Sequence, residues 1–290
     1  MANETILEFG IINIFADPHP EGIYPKLLER IAHTPAKLWG DDYLALTPPE
    51  RDAGLWTGRI FVWTELDPNS PAVNTKRLQE LSLTQAHVSV PADIGINGRI
   101  FYYVLREKDH KIFFETKNEF GKRLAPDRLI GPLDRLFQRI NARGEIHVEV
   151  NVWPEEDALK NILDMAALAK LEIHIKKPNP DDNDEEAEEI LRELEEQGAS
   201  RKEITLSAKS RKKGMTPNRR TRIEAQVGAE TDHVRGAGKD ANGNKLDLST
   251  QSYPKIISVA LSGFISVLNA AKHTARNTIL RTRRPRAEPN

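Results

Sequence analysis

No cysteine occurs among the 290 residues. That excludes disulfides, thiolate zinc sites and cysteine nucleophiles. No long apolar run occurs either. The most apolar stretch, IISVALSGFISVLNAA at 256–271, is short and carries Ser and Asn, so it does not read as a membrane span. The first residues, MANETILEFG, lack the basic and apolar regions of a signal peptide. The expectation is a soluble, cytoplasmic chain without membrane insertion. Bulk charge is nearly absent as well: 42 basic against 43 acidic side chains leave a formal net charge of −1, so the arrangement of charge carries the information.

Catalytic signatures are missing too. There is no HExxH, no GxSxG and no calcium-loop pattern, and RGAGKDANG is glycine-rich without the GK[ST] of a phosphate-binding loop. The eight histidines, His19, His33, His87, His110, His147, His174, His233 and His273, show no metal-ligand spacing, and each reads as a satisfied or surface residue. No catalytic, cofactor or metal site is expected, and a non-enzymatic protein is favoured.

What is present is a chain that is 39% hydrophobic and 29% charged, able to bury a core under a charged surface. TILEFGIINIF (5–15) and LWTGRIFVWTEL (55–66) are β-branched and aromatic and read as strands. KRLQELSL reads as a short helix, and RIFYYVLRE and KIFFETKN flank the polar KDH as a hairpin. Leu129, Leu133, Leu136, Phe137 and Ile140 share one face of an amphipathic helix that ends near Gly144.

The rhythm changes there, and we read two α+β domains with mixed sheets and packed helices, 1–143 and 144–290. The second opens with a strand (145–153), a helix over PEEDALKNILDMAALAK and a strand (171–177). The segment 178–198 then carries ten acids and one Arg, with a marginal exposed helix on Leu191 and Leu194. KEITLSAK (202–209) is a strand, TRIEAQVG and HVRGAG read as strands, and Asn242-Gly243 marks a hairpin. Ile257, Leu261, Phe264, Ile265 and Leu268 fall at helical spacing, an apolar stripe suited either to docking on its own sheet or to a homodimer.

The densest charge lies in SAKSRKKGMTPNRRTRIE (207–224). Lys209, Arg211, Lys212, Lys213, Arg219, Arg220 and Arg222 crowd into fourteen residues, and Gly214 and Pro217 break them into a loop between β elements. A basic tail, 281–290, adds Arg281, Arg283, Arg284 and Arg286. Such arrays suit a phosphate backbone, which they bind by counterion release without sequence preference. Few aromatics accompany them, so base stacking is not indicated. The alternative is a solvated loop, or one paired with the chain's own acidic run, which would then cover it as a DNA mimic. A different alternative is a toxin-like nuclease built on Glu230, Asp232 and His233. A third is a protein–protein interaction module that uses the acidic helix and the basic loop.

From about 145 onward the order EIHVEVNVW, helix, LEIHIKKP, charged segment, KEITLSAKS, polar β region and C-terminal helix resembles the RexA-like phage exclusion proteins. The whole sequence further resembles an uncharacterised bacterial family of about this size. The first resemblance implies a homodimer that binds double-stranded DNA with little sequence preference, RNA not excluded, and acts in antiviral defence. The positions it implies for DNA contact are Lys209, Arg211, Lys212 and Lys213; Arg219, Arg220 and Arg222 extend beyond the matching phrases.

Overall fold

The computed structural model describes residues 4–67, 69–91, 93–141, 144, 146–177 and 185–280. The basic tail and the start of the acidic segment therefore lie outside the described residues. The elements run β1 (Ile6–Asp17), α1 (Ile23–Ile31), β2 (Ala36–Trp39), β3 (Asp42–Leu46), β4 (Glu50–Asp52), β5 (Leu55–Thr64), β6 (Ala72–Asn74), β7 (Gln79–Leu81), β8 (Ile96–Arg106), β9 (Lys111–Lys117) and α2 (Pro126–Ile140). They continue with β10 (His147–Val152), α3 (Glu156–Leu163), β11 (Ala167–Lys176), α4 (Glu185–Glu196), β12 (Arg201–Ser207), α5 (Arg219–Thr231), β13 (His233–Lys239), β14 (Lys245–Ser249), β15 (Ile256–Ala260) and α6 (Val267–Asn277).

β1 is the spine. Leu7, Phe9 and Ile11 point into one apolar cluster and Ile12, Ile14 and Ala16 into another, so both faces of the strand are buried. A strand covered on both faces reads as a continuous apolar run, as TILEFGIINIF does. Its edges are filled by β9 on one side and by β10 and β15 on the other, all antiparallel. The resulting sheet has nine strands in the order β10-β1-β9-β8-β5-β3-β2, with β15 joined to β1 and β4 to β5. Elements on both sides of Gly144 build it. α1 and α2 cover one face through Tyr24, Leu27, Leu28, Leu129, Leu133, Leu136 and Phe137. α6 covers the other through Val267, Ala270, Ala271 and Ala275. Buried Arg106 ends that helix: its guanidinium donates to the carbonyls of Ala275 and Thr278 while Asp109 holds it 2.5 Å away.

The second sheet is smaller, β12-β11-β13-β14. One face is apolar. Leu171, Ile173 and Ile175 of β11 meet Ile162 of α3, Ile190 and Leu194 of α4, and Ala225 and Ala229 of α5. With a side-chain period of two, the intervening residues Lys170, Glu172, His174 and Lys176 fall on the opposite, polar face. The fold is α+β, as the sequence indicates, and no described helix is long and apolar enough to cross a membrane.

Several local readings change. KRLQELSL contains β7, which pairs with β6 in a two-stranded ribbon, rather than a helix. The helix after Pro154 stops at Leu163; Ala167 and Leu168, good helix formers, are claimed by β11 because β13 and Met215 pair with them. β10 and β11, joined by α3, lie in different sheets. α4 is anchored by fully buried Ile190 together with Leu194, so it is not an exposed helix. TRIEAQVG is the body of α5, started by Asn218, whose side chain accepts from the Thr221 backbone N–H at 2.9 Å. The stripe Ile257, Leu261, Phe264 is not one helix: it spans β15 and the turn before α6, and it packs on the chain's own sheet.

β9 also buries a carboxyl group. Glu115 is 1% exposed, and its Oε2 accepts from the Tyr102 backbone N–H at 2.6 Å. Burial lifts its pKa from the usual 4.5 to about 7. The folded state therefore holds the proton more tightly than the unfolded one. The contribution is full below the unfolded value and is lost as pH rises through the folded value. Glu115→Gln should match the wild type at acid pH and be about 1–3 kcal/mol more stable near pH 8 in urea unfolding. An equal effect at both pH values would contradict this origin.

Candidate functional site

The basic segment leaves β12 as a turn and re-enters as α5. Gly214 makes that path possible. Its φ is +73°, and a Cβ there would lie 2.6 Å from the Ala167 Cα and 2.7 Å from the Leu168 N. Only glycine combines that conformation with that approach. The next residue seals the contact: the Met215 N–H donates to the Leu168 carbonyl at 2.8 Å. The turn carrying Arg211, Lys212 and Lys213 is thus clamped to the start of β11, and it leads into a helix rather than a strand.

The seven cations separate into two groups. Arg220 sits among acids: Glu189 at 2.9 Å, Glu193 at 2.5 Å and Glu224 at 3.4 Å. Lys202 joins the network through Glu193 at 3.0 Å and Glu224 at 2.9 Å. Partial burial pushes the Arg220 and Lys202 pKa values down, but the surrounding glutamates outweigh it and hold both above their ordinary values. Glu193 is held below its own, first by the Lys202 hydrogen bond. Arg222 reaches Asp164 at 3.2 Å and the Pro217 carbonyl at 3.3 Å. These two arginines tie α5 to α4 and to the end of α3. The acidic run does pair with the basic segment, but through Arg220.

The other five, Lys209, Arg211, Lys212, Lys213 and Arg219, are exposed and make no ion pair among the described residues. Arg219 is the first residue of α5, where the unpaired N–H groups of the first turn add positive potential. The surface thus presents five cations on a fixed turn and a helix start.

A second constellation lies on the polar face of the four-stranded sheet. β11 and β13 place His174 opposite His233. The two imidazoles stack at 4.3 Å with 9° between their planes. Asp232, the residue between α5 and β13, puts Oδ1 2.9 Å from the His233 Nδ1. Partial burial pushes the Asp232 pKa up, but the His233 hydrogen bond and the Lys176 charge hold it below the usual carboxylate value. Of the residues named for a nuclease, Asp232 and His233 come together. The Glu230 side chain takes a hydrogen bond from Gln226 at 3.5 Å, and its backbone carbonyl accepts from Asn151 at 2.9 Å. His174 is the partner that sequence reasoning missed as a group member. His147 lies on β10 in the other sheet and contacts Glu149. The available signal was the parity of β11 and β13, but the register between strands so far apart in sequence was not.

Residues 5–276 match the family described as a domain of unknown function (DUF4747), and the chain belongs to that family. No curated protein matches it. The match agrees with an uncharacterised family and brings no function with it.

Two substitutions separate the structural from the exposed cations. Arg211→Ala should leave stability within about 0.5 kcal/mol, whereas Arg220→Ala, which strips three glutamates of a partner, should cost about 1 kcal/mol or more. Gly214→Ala should cost more than about 2 kcal/mol, because strain and a backbone clash add. Thermal or urea unfolding checks all three, and a Gly214→Ala protein as stable as wild type would refute the clamp.

Proposed function

We propose that this protein binds the phosphate backbone of duplex DNA without sequence preference and without catalysis, through Lys209, Arg211, Lys212, Lys213 and Arg219. The observation that carries the reading is the separation of the cations: two are consumed by internal glutamates and aspartate, and five remain exposed on a clamped turn beside a helix N-terminus. A solvated loop needs no such clamp. A surface that meets a rigid polyanion gains from one, since less ordering entropy opposes each contact. Arg220 and Arg222, first counted with the binding set, serve the fold in this reading. The RexA-like phrases of the C-terminal half support a role in phage exclusion, with a homodimer as the binding unit.

If about four of the five cations meet phosphate, log affinity should fall against log salt with a slope of roughly −3 to −4. Replacing Arg211, Lys212 and Lys213 by Ala should weaken every sequence alike and flatten the slope by up to about 3. Gel shifts across a salt series, on duplex DNA and on duplex RNA, measure this, and light scattering of the same samples gives the oligomer. A folded triple variant with wild-type affinity and slope would end the proposal. Preference for RNA would keep the phosphate surface and correct the partner.

A further inference from the structure

The polar face of the small sheet carries more than a histidine stack. One ligand atom from each of His174, Asp232 and His233 lies within 4.8 Å of the others. Metal–ligand bonds of about 2.0–2.2 Å put neighbouring ligand atoms about 3 Å apart around an octahedral ion and about 3.4 Å around a tetrahedral one. The 2.9 Å contact between Asp232 Oδ1 and His233 Nδ1 is a hydrogen bond, so the two groups are already adjacent, and an ion would take the place of its proton. The remaining closure is a side-chain rotation, since all three side chains are partly buried and none is locked in an apolar core.

Charge favours a cation here. Glu203 lies 3.6 Å from the His174 Nδ1, and Lys176 is paired with Glu149 at 3.3 Å. Counting Asp232, Glu203 and Glu149 against Lys176 and against Arg201, which lies 4.0 Å from Glu203, the immediate surroundings carry three negative charges and two positive, a balance of −1 with neutral imidazoles. At 3.6 Å Glu203 is beyond hydrogen-bond reach of the His174 ring and contributes negative potential.

We propose that His174, Asp232 and His233 bind a divalent transition-metal ion, with at least one coordination position left open. Two imidazoles and a carboxylate suit zinc, manganese, cobalt or nickel and disfavour the purely oxygen-seeking calcium. Three protein ligands leave room for water or another exogenous ligand at the ion. The open side borders a polar cavity of about 570 Å³ lined by His233, Arg235, Asp247, Ser249, Gln251 and Ser252. Arg235 is held there by both oxygens of Asp247, at 2.8 and 2.7 Å. This site stands apart from the cationic turn and does not depend on DNA binding.

The test is titration of the full chain, stripped with chelator, with Co²⁺ followed by visible absorption and with Zn²⁺ by calorimetry. One ion per chain is expected, with a Kd of about 10 μM or tighter. Loss of even an outer partner costs about 10–100-fold in metal affinity, so loss of a ligand in His174→Ala or His233→Ala should cost at least about 100-fold. His147→Ala, on the neighbouring sheet, should change nothing. If an alanine variant loses its native circular dichroism, His174→Gln and His233→Gln replace it. The proposal is overturned by absence of stoichiometric binding at submillimolar metal. It is also overturned if affinity survives in both histidine variants, or is lost on changing His147.

Discussion

Everything in this molecule is hung on β1. It is paired on both edges and buried on both faces, so strands from residues 111–117, 147–152 and 256–260 must converge on it. Each Leu, Ile or Phe fully buried there contributes about 1.5–3 kcal/mol. Five such residues, Leu7, Phe9, Ile11, Ile12 and Ile14, are comparable with the whole net stability of a domain, about 5–15 kcal/mol. A spine this apolar makes its single buried amide conspicuous. Asn13 accepts from the Lys111 Nζ at 2.8 Å, and the Lys111 ammonium lies over the Trp153 ring at 4.5 Å.

That amide is the joint between the two sheets. Asn13 is paired across the strands with Asn151, and both side chains donate to one acceptor, the Glu230 carbonyl, at 3.5 and 2.9 Å. The shorter bond is the stronger, worth about 0.5–1.5 kcal/mol net. Its position matters more than its strength. Glu230 lies in the last turn of α5, and Asp232 and His233 follow within three residues. The buried polar groups of the large sheet therefore fix where α5 ends, and so where the Asp232 carboxylate meets the imidazole pair. Lys177 adds a second tie by reaching Asp17, at the end of β1, at 3.0 Å.

Long periodic elements were legible in the sequence: β1, β5, the β8–β9 hairpin, α2 and the Asn242-Gly243 hairpin all stand where period and turn chemistry put them. The failures share a cause. TRIEAQVG carries an Ile and a Val at strand-like positions, but Pro217-Asn218 supplies a helix start, and Gly228 lets α5 sit against β11, where a Cβ would be 2.8 Å from the Ile173 side chain. MAALAK is helical by propensity and strand by pairing. In both cases a tertiary contact overrode a local preference. The same holds for the site. Each of the seven cations was visible as a residue, but nothing local distinguishes Arg219 from Arg220, whose partners come from a helix about 30 residues upstream. The histidine pair needed the register of β11 on β13, a relation no single segment contains.

The near-zero net charge then takes on a specific meaning. α4 has far more acids than Arg220 and Lys202 consume, and it lies against α5 near its start. Neutralising the arginine inside the network keeps α5 attached to the small sheet. Leaving the neighbouring cations without an ion pair among the described residues keeps the outer surface positive. Both follow from one alternation: at the start of α5, Arg219 faces outward and Arg220 inward, because successive helical residues are about 100° apart. The helix start separates them, so the acidic helix can hold the fold in place without covering the surface that Lys209, Arg211, Lys212, Lys213 and Arg219 present.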